Sequence, residues 1–133
     1  MTRAWLALGS NLGDRGEYLR ASREALAVAG ILPVRASEVA ETDPVGVIDQ
    51  PRFLNQVLEV ETALGPRPLL DAVKAIESKL GRKARQRWGP REIDIDILRY
   101  DELTVDEPGL RIPHPELRNR PFLQSLLAAI EAR

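Results

Sequence analysis

Apolar residues follow two rhythms along this chain, one of every second position and one of every third or fourth. Ala4–Leu8 reads as a short buried strand that runs into a strand-to-helix turn at Gly9-Ser10-Asn11-Leu12-Gly13. From about Arg15 to Ala29, Leu19, Ser22, Leu26 and Ala29 mark the inner face of a helix. Asp14 followed by Glu17 forms a capping box at its start, and Gly30 stops it. Pro33–Glu41 reads as a second, weaker strand and Phe53–Thr62 as a stronger one. Between them Thr42–Arg52, with Pro44, Gly46 and Pro51, reads as a mobile loop. The clearest helix is Pro66–Leu80, where Leu69, Val73, Ile76 and Leu80 form one stripe ahead of Gly81. Ile93–Tyr100 is a further strand, Thr104–Ile112 holds another short one, and Pro121–Ala132 is a terminal helix.

The order β-α-β-β-α-β predicts an α+β, ferredoxin-like fold: an antiparallel sheet with helices on one face and the active site on the other. Residues 1–133 are then a single domain. Period-two alternation turns Leu54, Leu58 and Val60 toward the helices together with Ile93, Ile95 and Ile97. Phe53 and Asn55 then share the opposite face with Asp94 and Asp96.

That opposite face carries the candidate chemistry. Aspartate is disfavoured in strands and two neighbouring carboxylates repel, so Asp94 and Asp96 need a compensating partner. An isolated pair of this kind is more often a solvated strand face. Here Arg82, Lys83, Arg85, Arg87 and Arg91 lie just upstream with no acid among them; a charge run is usually a solvated surface, but arginine dominates this one. Arginine forks grip phosphate oxygens in pairs, and oxygen-only carboxylates suit Mg²⁺. Together they point to a site for a metal-bound polyphosphate. Gly81, Gly89 and Pro90 bracket the basic run, which reads as a hinged lid. Trp88 within it either stacks on a flat ligand or plugs a core gap. His114, between Pro113 and Pro115, is either a turn residue or a hydrogen-bond donor to phosphate.

Composition narrows the field. The formal net charge of -1 excludes a global field for nucleic acid, so any positive site is local. With no cysteine and one histidine, disulfides, thiolate chemistry and the usual zinc sites drop out. The opening residues show no signal peptide and no span is long enough for a membrane helix, so a cytoplasmic protein is expected. An RNA-binding module using 82–91 is the main rival; the net charge, the paired aspartates and the lack of an RRM-type aromatic signature stand against it.

Several stretches are similar to one known family. They are Leu8-Gly9-Ser10-Asn11-Leu12-Gly13, Glu41-Thr42-Asp43-Pro44-Val45-Gly46, Asp49-Gln50-Pro51-Arg52-Phe53-Leu54-Asn55, Ile76-Glu77, Arg87 through Asp96, and Ile112-Pro113-His114-Pro115. Over essentially its whole length the chain resembles 6-hydroxymethyl-7,8-dihydropterin pyrophosphokinase, an enzyme of folate biosynthesis. The resemblance implies transfer of the β,γ-pyrophosphoryl group of ATP to the pterin hydroxymethyl group, releasing AMP. It implies two Mg²⁺ ions on Asp94 and Asp96, with Arg82 and Arg91 completing the catalytic set. It assigns Arg82, Arg85, Arg91, Ile97, His114 and Arg120 to ATP, and Thr42, Pro44, Val45, Phe53, Asn55, Trp88 and Phe122 to the pterin. A monomer acting on these two small molecules, without nucleic acid or membrane, is expected. Two departures stand out: Ala84 replaces an arginine usual in the family, and Phe53 replaces a tyrosine.

Overall fold

The computed structural model describes residues 1–44, 49–82 and 91–132. Its elements are β1 (Thr2–Ser10), α1 (Arg15–Val28), β2 (Leu32–Ala36), β3 (Ala40–Thr42), β4 (Phe53–Thr62), α2 (Pro66–Lys79) and β5 (Asp94–Tyr100). There follow β6 (Val105–Glu107), β7 (Leu110–Ile112), a 3₁₀ turn (Pro115–Asn119) and α3 (Pro121–Glu131). The main sheet runs β2-β4-β1-β5 with every neighbouring pair antiparallel, and β3 also pairs with β4. The last two strands, β6 and β7, form a separate hairpin. This is an α+β protein with an antiparallel sheet and three helices.

Local chemistry accounts for the helix ends. The Asp14 carboxylate accepts the Glu17 N–H at 3.1 Å, satisfying one of the free donors of the first turn of α1. Glu17 does not return the bond of a full capping box; its carboxylate pairs with Arg20 instead. Pro66 occupies the first turn of α2, where its missing N–H costs nothing. At its far end Gly81 adopts φ +100°, a conformation that ends the helix and that L side chains rarely adopt.

The single strand expected over Pro33–Glu41 is two strands. Between Ala36, opposite Leu58, and Ala40, opposite Asn55, the outer chain advances four residues while β4 advances three. Ser37 lies in this break. Its hydroxyl accepts the Val57 N–H at 2.9 Å, its own N–H donates to the Val57 carbonyl, and its carbonyl accepts from Gln56 Nε2. The serine side chain replaces a ladder carbonyl, so the chain bends without leaving a buried amide unpaired.

Alternation along β1 divides the core. Ala4, Leu6 and Leu8 join Leu58, Val60, Ile93, Ile95 and Ile97 under Leu19 and Leu26 of α1 and Leu69, Val73 and Ile76 of α2. Ala7, with Trp5 packed beside it, turns the other way and meets Val57, Leu98 and α3. The expectation that helices keep to one face is therefore corrected. In α3, Leu123, Leu126, Leu127 and Ile130 form a stripe at helical spacing that covers the apolar end of the aspartate face. Among the described residues, the end of that face carrying Phe53, Asn55, Asp94 and Asp96 lines a cavity instead. Leu58 sits at the middle of the α1/α2 core with no exposed surface. Truncating it as Leu58→Ala should cost about 2–5 kcal/mol, read as a lower midpoint in a urea titration at unchanged slope.

Candidate active site

The open floor is built by three adjacent strands. Gly9 of β1 lies between Asn55 of β4 and Asp94 of β5, and Ala7 lies between Val57 and Asp96. Residues directly opposite one another project to the same face. The strand in the middle thus contributes almost no side chain, and this makes the hollow. A Cβ on Gly9 would come within 3.2 Å of Asn55 Oδ1 and 3.6 Å of Phe53 Cδ1.

Two cavities adjoin at this floor. The first, of about 270 Å³, is lined by Thr42, Phe53, Asn55, Arg120 and Phe122 above Ala7 and Gly9. The second, of about 630 Å³, is lined by Leu70, Lys74, Glu77, Arg82, Ile97 and Arg111 among others. Arg91, Asp94, Asp96, His114 and Glu116 line both. Two aromatic rings and an amide characterise the first cleft; the second sets Lys74, Arg82, Arg91 and Arg111 among Glu77, Asp94, Asp96 and Glu116. The paired aspartates stand at their junction.

An ion chain crosses the junction. Arg82 Nη1 lies 2.9 Å from Glu77 Oε1 and 3.3 Å from Asp94 Oδ1, and Arg91 Nη1 lies 2.9 Å from Asp94 Oδ2. Glu77 is 5% exposed, and its other oxygen accepts the Ile95 N–H at 2.7 Å. Burial pushes its carboxyl up from the ordinary range, against the pull of the Ile95 N–H. Desolvation in the cleft, then the charges of Asp94 and Glu77, hold the Asp96 carboxyl well above the usual carboxylate range, with Arg91 opposing them. The Asp96 side chain nevertheless keeps 42% of its surface open, so water reaches it. Repulsion from its acidic neighbours is the part of this shift that a cation would reverse. As an oxygen-only donor set, Asp94 and Asp96 fit Mg²⁺, which retains waters and takes phosphate oxygens for the rest of its shell. Among the described residues no group of three or more potential metal ligands occurs.

His114 is fixed on the β5 side of the junction. Its N–H donates to the Leu98 carbonyl at 2.9 Å, and its Nδ1 accepts the Glu116 N–H at 3.1 Å. A neutral ring that accepts at Nδ1 must carry its proton on Nε2. That atom lies 3.8 Å from Asp96 Oδ1, facing the junction as a donor. Desolvation lowers the pKa of the ring although Asp94 and Glu116 pull it upward; Arg120 adds to the lowering. The turn reading of His114 is seen directly in the bond from the Glu116 N–H, while the other ring nitrogen points into the site.

Most expected site residues converge here. Arg82, Arg91, Asp94, Asp96, His114 and Arg120 line the clefts, as do Thr42, Phe53, Asn55 and Phe122. Asn55 Nδ2 donates to Thr42 Oγ1, which orients its amide. Ile97 borders the second cleft from within the helix-side core. Pro44 does not line either cavity. Val45, Arg85 and Trp88, like most of the expected 82–91 lid, lie outside the described residues. Glu77 and Gly9 were not singled out from sequence as site residues. Glu77 had a signal, an acid four residues beyond Val73 on the apolar stripe of α2.

An α+β scaffold thus holds two adjoining clefts across one carboxylate–arginine seam. The chain belongs to the 7,8-dihydro-6-hydroxymethylpterin-pyrophosphokinase (HPPK) family, whose model matches residues 5–132. It is 43% identical over 131 residues to the 2-amino-4-hydroxy-6-hydroxymethyldihydropteridine pyrophosphokinase of Bacillus subtilis, covering 96% of this chain and 77% of that protein. To the protein of the same name from Methylorubrum extorquens it is 44% identical over 131 residues, covering 98% and 83%. A crystal structure of Plasmodium falciparum HPPK-DHPS shares the fold at a TM-score of 0.67 and 16% identity, over 96% of this chain and 39% of that one.

Because the chain has one histidine, its ring is directly observable by ¹⁵N NMR. The free protein should show a protonated Nε2, an unprotonated Nδ1 and a titration midpoint below about 6.5. The fold then resists protonating this ring, and stability is lost as pH falls from the ordinary value through the lowered one. A proton on Nδ1, or a midpoint above the ordinary value, would refute the turn-capping assignment.

Proposed function

We propose that this protein transfers the β,γ-pyrophosphoryl group of ATP to the hydroxymethyl group of 6-hydroxymethyl-7,8-dihydropterin in folate biosynthesis, releasing AMP. The observation that carries this reading is the shared wall of the two clefts. A planar ligand between Phe53 and Phe122 in one, and a polyphosphate among Arg82, Arg91 and Lys74 in the other, would meet at Asp94 and Asp96. The pterin hydroxyl oxygen attacks the β-phosphorus, the bond from that phosphorus to the α–β bridging oxygen breaks, AMP leaves, and the hydroxyl proton passes to solvent water.

Asp94 and Asp96 would hold two Mg²⁺ ions. When bound, Mg²⁺ neutralises phosphate charge and lowers the pKa of a coordinated hydroxyl. The remaining work falls to the chain. Asn55, oriented by Thr42, reads the hydrogen-bonding edge of the pterin, and the rings of Phe53 and Phe122 stack on its faces. Arg82 and Arg91, now paired with Asp94, would move to the phosphate oxygens, which frees the Asp94 carboxylate for metal. His114 donates from Nε2 to a phosphate without changing its protonation. Positioning and charge, rather than a protein base, supply the rate acceleration.

The strand order β2-β4-β1-β5 supports the ferredoxin-like description of the core. The two adjoining clefts suit action on two small molecules. Among the described residues no helix is long and apolar enough to cross a membrane.

Incubation with ATP, Mg²⁺ and the hydroxymethyldihydropterin should yield AMP and the pterin diphosphate in equal amounts. Formation of ADP would mean a different phosphoryl transfer. Either Asp94→Asn or Asp96→Asn should lower turnover by more than about a hundredfold. For Asp96→Asn the melting temperature should hold or rise, because at neutral pH the native charge is opposed by Asp94 and Glu77. Turnover near that of the parent in either purified variant would contradict the metal assignment.

A further inference from the structure

Asn11 is 1% exposed at the end of β1, yet its side chain serves neither the turn that follows nor the core. Its Nδ2 donates to Gln50 Oε1 at 2.8 Å and to the Pro51 carbonyl at 2.9 Å. Its Oδ1 accepts the Arg91 N–H at 2.8 Å, and its own N–H donates to the Arg91 carbonyl at 3.1 Å. One amide thus uses both ends on two segments far apart in sequence. On one side is the stretch entering β4 two residues before Phe53. On the other is the backbone of Arg91, whose guanidinium reaches Asp94.

We propose that Asn11 is a positioning residue that sets the pterin half-site and the nucleotide half-site relative to each other. This rests on the two-cleft reading above and adds a coupling to it. The physical case is that a planar amide is the only small uncharged group presenting two donors and one acceptor in a fixed plane. It is buried, so each partner left unpaired carries a desolvation penalty and the joint has one low-energy arrangement. The same strand end that carries Gly9 into the floor therefore fixes where Phe53 begins and where Arg91 stands. A shift of either side by about 1 Å is enough to misalign two reacting groups and cost about a hundredfold in rate.

The two halves of the amide are separable. Asn11→Ala removes both, and should lower kcat about 10- to 100-fold while raising the pterin KM. Asn11→Asp keeps an oxygen for the Arg91 N–H and loses the donors to Gln50 and Pro51. It should recover most of the lost kcat and leave the pterin KM raised. Gln50→Ala, at a partly exposed position, removes the Asn11–Gln50 bond and leaves those from Asn11 to the Pro51 carbonyl and the Arg91 N–H in place. It should raise the pterin KM by several-fold and leave the ATP KM in place, and it gives a reading if Asn11→Asp does not fold. Melting temperatures are taken on each protein. If Asn11→Asp follows Asn11→Ala in both constants, if both match the parent, or if Gln50→Ala raises both KM values together, the coupling role is refuted. Failure of the parent protein to form AMP would instead defeat the underlying reading, so the two failures are distinct.

Discussion

Everything in the site depends on β1 being hydrogen-bonded along its length to β4 on one side and β5 on the other. Because side chains alternate with period two, a slip of one residue against either neighbour would exchange the faces of the sheet. Asp94 and Asp96 would then enter the core beneath α1 and α2, and Ile95 would face solvent. The burial of Leu6, Leu8, Leu58 and Ile95 on the helix side therefore does more than stabilise. It fixes the register that presents two carboxylates, an amide and an aromatic ring on the other side. Small residues on β1 then decide that this presentation is a hollow and not a flat face, since Ala7 and Gly9 leave the centre empty.

Charge at the junction is arranged to be movable. Asp94 is shared by two arginines, one of which is also paired to Glu77, a carboxylate anchored through the Ile95 N–H. A buried acid on a helix would be costly without these partners. With them it acts as a fixed counter-charge, holding Arg82 near the seam while leaving its guanidinium partly open. On the proposed function, a carboxylate paired with arginines would suit a site that accepts a polyanion: an incoming phosphate would compete for the arginines, and the vacated carboxylate would be left for metal. The raised Asp96 carboxyl belongs to the same balance, because it is the acid that the arginines serve less directly.

Much of this was legible in the residues, for reasons that can be named. Alternation through Ile93–Ile97 placed Asp94 and Asp96 opposite the isoleucines, and the stripe of α2 placed its inner face, because both patterns are set by backbone geometry alone. What escaped were features created by contacts distant in sequence. The break between β2 and β3 depends on a hydroxyl of Ser37 meeting β4, which no local periodicity encodes. The covering of the aspartate face by α3 had a trace in sequence, since Val57 and Leu98 are apolar at positions expected to be open. Reading that trace required knowing where the last helix returns. The proton position on His114 follows from a turn bond to Glu116, and the task of Asn11 from partners 39 to 80 residues away.

The placement of α3 also bears on how the first cleft discriminates. Its apolar stripe closes the far end of the aspartate face, and its first turn brings Phe122 and Leu123 to the rim opposite Phe53. Stacking on an aromatic face is tolerant of ring chemistry, so the rings alone would accept many flat heterocycles. On the proposed function, selectivity would come from polar groups whose orientation is fixed, such as Asn55, which is tied to Thr42. A heterocycle that fails to match that amide leaves it unpaired in a desolvated cleft, a penalty of about 1–3 kcal/mol. In that reading the sheet would supply the discriminating group, and α3 lines the cleft through Phe122 and Leu123. Both are held by the same central strand, so recognition of the acceptor and placement of the carboxylates are not independent properties of this fold.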